Sequence, residues 1–259
     1  MSEVGRWSKR KYHFLSNYLN MFSTGMKNKW PQRHYVDLFS GAGLARLRDQ
    51  GEIVVGSPLI AARVRDPFTK LHLCEADPKK FEALKQRISR EPLATPPQLV
   101  HGDANRCIDE IVADIPPAGA LTLVFADPYG LHFDFDTVRK LADRKCDLIV
   151  LLADNMDALR NWSAYYQHDP NSNLDRFMGE PGWRDVLKES PSERLAQNLR
   201  DRYCDRLRSQ GFQFFGWERV VNDRNRDIYT LLFASSNKRG LDFWGKASAT
   251  DEGGQRRLF

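Results

Sequence analysis

Long hydrophobic runs are missing from this chain of 259 residues. The longest, Leu148 to Ala153, has six residues, against the roughly 18 or more that a membrane helix needs. The first residues carry charge and no apolar signal segment, so the expectation is a cytoplasmic protein with no membrane partner. Cysteine is scarce: four residues, at 74, 107, 146 and 204, with no Cys-x-x-Cys among them. Their gaps match no zinc-ligand spacing, and free thiols in a reducing compartment follow. Histidine is also sparse, six residues with no paired spacing and no His-Glu-x-x-His. No metal site is expected. With 41% hydrophobic and 28% charged residues the composition is that of an ordinary globular protein, which excludes a disordered chain.

The charge that is present is uneven. Net charge is +5. Residues 1–33 hold Arg6, Lys9, Arg10, Lys11, Lys27, Lys29 and Arg33 against Glu3 alone, a local net charge of +6, so the other 226 residues total −1. Trp7, Tyr12, Phe14, Tyr18, Phe22 and Trp30 are interleaved with these cations. Cations that neutralise phosphate beside rings that stack on bases would make a nucleic-acid patch. The same residues also suit an amphipathic helix, since Tyr12, Leu15, Leu19 and Phe22 recur at helical spacing. Residues 1–33 are therefore expected to form a basic, aromatic N-terminal helical segment. It precedes a domain at 34–259.

In that domain short apolar runs alternate with helical patterns, which favours a mostly parallel sheet covered by helices on both faces. Strands are expected at 34–40, 71–77, 98–103, 121–127, 147–154, 212–220 and 228–235. The last two flank Asn222-Asp223-Arg224-Asn225 and read as an antiparallel pair. Ser190, Pro191 and Glu193 form a capping box that predicts a helix from Pro191 to about Gln210, ended by Gly211. Its apolar stripe is Leu195, Leu199, Tyr203 and Leu207. Residues 155–187, with Trp162, Tyr165, Tyr166 and Trp183, interrupt the alternation and read as an insertion over the substrate side of the sheet.

The chemistry is expected at strand ends. Tyr35-Val36-Asp37-Leu38-Phe39-Ser40-Gly41-Ala42-Gly43 is an apolar strand running into a Gly-x-Gly turn. Gly41 and Gly43 let the backbone turn and approach a ligand closely. In open α/β sheets ligands bind at this end of the strands. The third glycine of the dinucleotide fingerprint is replaced by Arg46, which argues against a nicotinamide oxidoreductase. The second strand ends in Glu75-Ala76-Asp77 and the third in Gly102-Asp103-Ala104. Glu75 can accept both hydroxyls of a ribose, and Asp103 can accept from an adenine amino group. Asp77, followed by Pro78, reads as a helix cap. The 38 residues between Asp37 and Glu75 exceed the about 20 of the dinucleotide pattern. An insertion near 46–57 is expected, before a helix at 58–65. The fourth strand ends in Phe125-Ala126-Asp127-Pro128-Tyr129-Gly130. Such an acid, proline and ring suit an amine acceptor: the acid orients the nitrogen and the ring stacks on a base. His132 and Phe133 follow and are candidates for the same pocket, together with Trp162 and Tyr165.

Taken together these segments resemble the three-Cys-motif partner protein family (TcmP), which is similar to class I S-adenosylmethionine-dependent methyltransferases. The resemblance rests on Lys11–Met21, the Asp37–Gly43 turn, Gly56-Ser57-Pro58-Leu59-Ile60-Ala61, Glu75-Ala76-Asp77, Asp127-Pro128-Tyr129-Gly130 and Gly240-Leu241-Asp242-Phe243-Trp244. It implies a Rossmann-like α/β fold with a seven-stranded, mostly parallel sheet and a C-terminal antiparallel pair. It implies S-adenosylmethionine as cofactor, bound by Asp37, Phe39, Gly41, Gly43, Glu75, Asp103 and Ala104. Asp127, Pro128 and Tyr129 are the catalytic candidates, and His132, Phe133, Trp162 and Tyr165 the substrate-binding ones. The implied protein partner is a separate chain with three cysteines, similar to radical adenosylmethionine enzymes. Two departures stand out. The second proline usual in amine-methylating enzymes is absent, and Phe39 stands where many methyltransferases have a glycine. The expected function is methylation of a nucleic acid, at a base amine. A catalytically silent binding module and a methyltransferase for a protein or small molecule are the alternatives.

Overall fold

The computed structural model describes residues 2–48, 50–153, 161, 165, 166, 168, 169, 171–180, 182–191, 194–221 and 227–249. At its centre is a seven-stranded sheet. In chain order its strands are β2 (Gln32–Asp37), β5 (Lys70–Glu75), β6 (Gln98–His101), β7 (Ala120–Ala126), β8 (Cys146–Leu152), β9 (Phe214–Val221) and β10 (Asp227–Ser235). Their spatial order is β6-β5-β2-β7-β8-β10-β9. The first five are parallel, and β10 runs antiparallel between β8 and β9. This is the Rossmann-like order of class I methyltransferases, with the switch point between β2 and β7. All residues of β7 and β8 are buried. That explains why they read as continuous apolar runs and do not alternate.

Helices cover both faces. On one face α1 (Trp7–Met26), α2 (Ser57–Ala62), α3 (Pro78–Ile88) and a C-terminal helix, Lys238–Ser248, pack over Tyr35, Leu73, Phe125 and Phe233. On the other, α4 (Ala104–Ala113), α5 (Phe135–Ala142) and three later helices pack over Val36, Val124 and Val150. Those three are α6 (Asn173–Met178), α7 (Trp183–Lys188) and α8 (Leu195–Arg208); the C-terminal helix is α9.

The basic N-terminal segment is built into this body. Phe14, Leu15, Tyr18, Leu19 and Phe22 are buried on the inner face of α1. Phe14 meets Trp244 of α9 edge-on at 4.4 Å, and Tyr18 lies 5.4 Å from Phe233 of β10. Cations of the same segment find acids. Lys9 pairs with Glu52 at 2.6 Å and Lys27 with Asp66 at 2.8 Å, Arg10 reaches Glu218, and Lys11 reaches Asp127. The charge excess read from the sequence is thus largely spent within the fold.

Several local expectations shift. The Pro191 helix starts later: α8 begins at Leu195, with no side-chain cap at Arg194. The capping box needed Glu193, which lies outside the described residues. The stripe itself holds, with Leu195, Leu199, Tyr203 and Leu207 buried. The excess between Asp37 and Glu75 is a hairpin, β3 (Leu44–Leu47) with β4 (Ile53–Val55), and β1 (Ser2–Val4) pairs in parallel with β3. Isolation could not reveal this three-stranded sheet, because β1 and β3 are joined only in space. Within 155–187, α6 has a full capping box of Ser172 and Asp175. Trp183 is buried and donates from Nε1 to Asp175 Oδ1 at 3.0 Å. This aromatic serves the core.

Candidate functional site

The carboxyl ends of β2, β5, β6 and β7 open into one cleft of about 770 Å³, a size suited to a small organic ligand. Its floor is the turn after β2. Gly41 and Gly43 have φ of +63° and +78°, which L side chains rarely adopt. A Cβ placed on Gly41 would meet nothing within 4 Å, whereas one on Gly43 would press on Leu59 at 3.3 Å. Gly41 therefore faces open space, and Gly43 faces packing. Gly56 closes the turn from behind, its N–H donating to the Gly43 carbonyl at 2.8 Å.

Glu75 ties the turn to the next strand. Its Oε2 accepts from Gly41 N at 2.7 Å and its Oε1 from Asp77 N at 2.8 Å. Each oxygen keeps a second lone pair for a ligand. Asp77 caps α3, accepting from Lys80 N at 2.9 Å. Asp103 lines the cleft and also caps α4, its Oδ1 accepting from Asn105 N at 2.9 Å and Arg106 N at 3.2 Å. Ala104 and Phe39 line the same wall. Asp37 does not line the cleft. It lies fully buried beneath the turn, with Tyr35 Oη donating to Oδ2 at 3.1 Å and Oδ1 without a hydrogen-bond partner among the described residues. Burial pushes its carboxyl pKa up to about 7, opposed by the hydroxyls of Ser57 and Tyr35.

Across the cleft, Asp127, Pro128 and Tyr129 follow β7. Lys11 of α1 donates from Nζ to Asp127 Oδ2, with the two side chains 7% and 15% exposed. Burial works against the Lys11 ammonium, yet Asp127 together with the phenols of Tyr12 and Tyr229 outweighs it and holds the pKa above the ordinary lysine range. Tyr129 is 79% exposed, and Lys80 Nζ lies 4.8 Å over its ring. The N-terminal segment supplies the remaining wall through Glu3, Val4, Trp7, Lys11 and Tyr12, and β10 adds Tyr229. None of these is a sequence candidate for the cofactor or catalytic site; the sequence places Trp7, Lys11 and Tyr12 only in the basic, aromatic N-terminal segment. Lys11 and Asp127 are 116 residues apart, a distance no local spacing rule spans.

The sequence candidates for substrate contact lie elsewhere. Phe133 is fully buried and packs edge-on to Phe39 with 6.4 Å between rings. His132 is exposed, outside the cleft lining, and bonds through Nδ1 to Asn173 at 3.2 Å. Tyr165 is also outside that lining, half exposed, with its ring 5.1 Å from Tyr166. Trp162 lies outside the described residues. Among the described residues no cluster of metal-ligating side chains occurs and no helix is long and apolar enough to cross a membrane. The four cysteines form no disulfide.

No family model matches the chain, and no curated protein matches it. Solved structures do. One is a Legionella pneumophila protein of family model DUF519, at 12% identity and TM-score 0.51, covering 86% of this chain and 84% of that one. Another is Trm1 from Pyrococcus horikoshii in complex with S-adenosyl-L-methionine, at 12% identity and TM-score 0.47. It covers 89% of this chain and 57% of that one. The methyltransferase domain of METTL16 follows at 13% and 0.46, covering 84% of this chain and 65% of that one. At these identities the likeness is one of fold.

Proposed function

We propose that the chain is an S-adenosylmethionine-dependent methyltransferase acting on a base amine of a nucleic acid. One observation carries the reading: the open face of Gly41, the Glu75 carboxylate and Asp127 share a single cleft at the switch point of this fold. The residues fit the cofactor. Gly41 leaves room that any side chain would take, Glu75 and Asp103 offer acceptors to hydroxyl and amino groups, and Phe39 and Ala104 add apolar wall. Asp37 supports the turn from below. When bound, the cofactor supplies a methyl group activated by its sulfonium. Asp127 accepts from the acceptor's N–H and so orients its nitrogen, and the apolar walls exclude water. Tyr129, exposed at the mouth beneath Lys80, offers a ring on which a base can stack. The paired N-terminal cations move the expected phosphate contacts to the cleft rim, where Arg48 and Lys80 stand.

The three-cysteine partner that the resemblance implies belongs to this reading as another polypeptide, because the cysteines of this chain are dispersed. Residence in the reducing cytoplasm agrees with their unpaired state. Calorimetry with adenosylmethionine and adenosylhomocysteine is the first test, and micromolar binding of both is expected on the ordinary affinity scale. Transfer of labelled methyl to RNA or DNA, abolished in Asp127→Ala, is the second. Absence of binding by either compound at millimolar concentration refutes the proposal.

The Lys11–Asp127 pair favours a second reading, a methyltransferase-like binding module without turnover, because one carboxylate oxygen is already engaged. Cofactor binding without methyl transfer to any nucleic acid, protein or small molecule would select it.

A further inference from the structure

Two walls of the cleft come from distant parts of the chain. Asp103 caps α4 and Ala104 opens it, while Asp127–Gly130 follow β7. In the sheet β5 and β2 stand between β6 and β7, so no strand pairing joins these walls directly. A side chain does. Asn105 of α4 donates from Nδ2 to the His132 carbonyl at 2.9 Å. Its Oδ1 accepts from Asp134 N at 3.0 Å and from Thr137 Oγ1 at 2.8 Å. Its own backbone N–H donates to Asp103 Oδ1 at 2.9 Å. The backbone partners fix which end of the amide is which, since a carbonyl must face its N–H₂ and an N–H its oxygen. An aspartate would set oxygen against oxygen at His132.

What Asn105 clamps is the far end of the acceptor loop. Residues 127–134 run from β7 to α5 without helix or strand, through Gly130 at φ +132°. Lys11 holds the near end at Asp127. Leu131 and Phe133 are buried, and Phe133 meets the cleft-lining Phe39 edge-on. Beyond the loop, Thr137 is buried in the first turn of α5. The loop is thus tied to the cofactor side of the cleft by a polar joint at Asn105 and an apolar one at Phe39.

We propose that Asn105 is a positioning residue that carries cofactor occupancy from the Asp103–Ala104 wall to the loop bearing Asp127 and Tyr129. This rests on the cofactor part of the reading above and adds how the acceptor side is set. A ligand group held by Asp103 fixes the first turn of α4. Asn105, itself outside the cleft lining, passes that constraint to the backbone at His132 and Asp134. The loop then holds its carboxylate and ring in register with the methyl donor, where a displacement of about 1 Å can cost about a hundredfold in rate.

The test is hydrogen–deuterium exchange of the full chain with and without saturating adenosylhomocysteine, read by mass spectrometry on peptides covering 127–137 and, as reference, 38–44. Calorimetry establishes occupancy. In wild type the ligand is expected to slow exchange about tenfold in both peptides. Asn105→Ala is expected to bind it within about threefold of wild type. Slowing should persist at 38–44 and shrink to about threefold or less at 127–137, the remainder carried by Phe39 and Phe133. A mere brace would let exchange at 127–137 rise equally in the free and bound states, leaving the slowing intact. That result overturns the proposal. Should Asn105→Ala fail to fold, Asn105→Asp replaces it under the same criterion, since it keeps the acceptor for Asp134 N and Thr137 Oγ1 and gives up the bond to His132. A wild type that binds adenosylhomocysteine with an unresponsive loop sinks this inference alone. One that does not bind it sinks the cofactor reading, and this inference with it.

Discussion

Replacing the partners of the Lys11–Asp127 pair, singly and together, tests whether α1 is locked over the cleft by charge. The side chains are 7% and 15% exposed, so this is a nearly buried pair. Removing one partner of such a pair costs about 3–5 kcal/mol, because the remaining charge is left uncompensated. Asp127→Asn strands the ammonium, the more buried of the two, and is expected to cost about 3 kcal/mol. Lys11→Met strands a carboxylate at the cleft wall that can hydrate or take up a proton, so about 1–2 kcal/mol is expected. The double variant carries no stranded charge and should return to within about 1 kcal/mol of wild type. Chemical denaturation at pH 7 gives the three differences and hence the coupling. By the usual size scaling of about 2–4 °C per kcal/mol, Asp127→Asn should lower the melting temperature by roughly 6–12 °C. The Lys11 pKa is raised by folding. Its contribution is therefore complete below the unfolded value of 10.5 and is lost only as pH rises beyond it. The coupling should be equal at pH 6 and pH 9. It should also persist in 1 M salt, unlike that of Lys9–Glu52, whose side chains are 35% and 50% exposed. Single costs that simply add, with a coupling below about 0.5 kcal/mol, would refute the idea of a charge lock.

Further outcomes follow from the cleft floor. Asp37 has a pKa raised to about 7 from 3.8, so its ionisation opposes folding, and stability contributed by its protonated form is lost as pH rises from about 4 to 7. Asp37→Asn should remove up to roughly 4 kcal/mol of that slope, and a variant whose pH–stability curve parallels wild type would contradict the assignment. Gly41→Ala should cost about 1 kcal/mol for its positive φ yet abolish adenosylmethionine binding in calorimetry, since its Cβ enters the open cleft. Undiminished binding would show that Gly41 is not the cradle. Glu75→Gln puts an amide N–H₂ against one of the backbone N–H groups of Gly41 and Asp77, and about 2 kcal/mol of stability should be lost along with cofactor affinity. Stability and affinity both unchanged would rule out Glu75 as clamp and ligand.

Much of the sheet and its ligand end could be read directly, because those features are local. A run such as Leu148–Ala153 must be a doubly covered strand, and Asp77-Pro78 must start a helix. Gly41 and Gly43 announce a positive-φ turn wherever they sit. The mistakes arise where one pattern allows two environments. Phe133 and Trp183 are aromatic in a loop and beside it, and aromatics fill cores as readily as pockets. The N-terminal cations formed a basic patch on paper because Glu52, Asp66, Asp127 and Glu218, which answer them, lie far along the chain.

The order of residues by itself determined the alternation of strands and helices, the glycine turn and the acids at strand ends, since each depends on backbone sterics or on periodicity within a few positions. Tertiary structure alone decided that β1 pairs with β3 of the hairpin, that Lys11 reaches Asp127, and that the N-terminal segment and Tyr229 of β10 help to line the same cleft. Those contacts join residues 43 to 116 or more positions apart. Which distant partner a charge or hydroxyl meets depends on how the sheet stacks the chain's ends together, and no local preference encodes that.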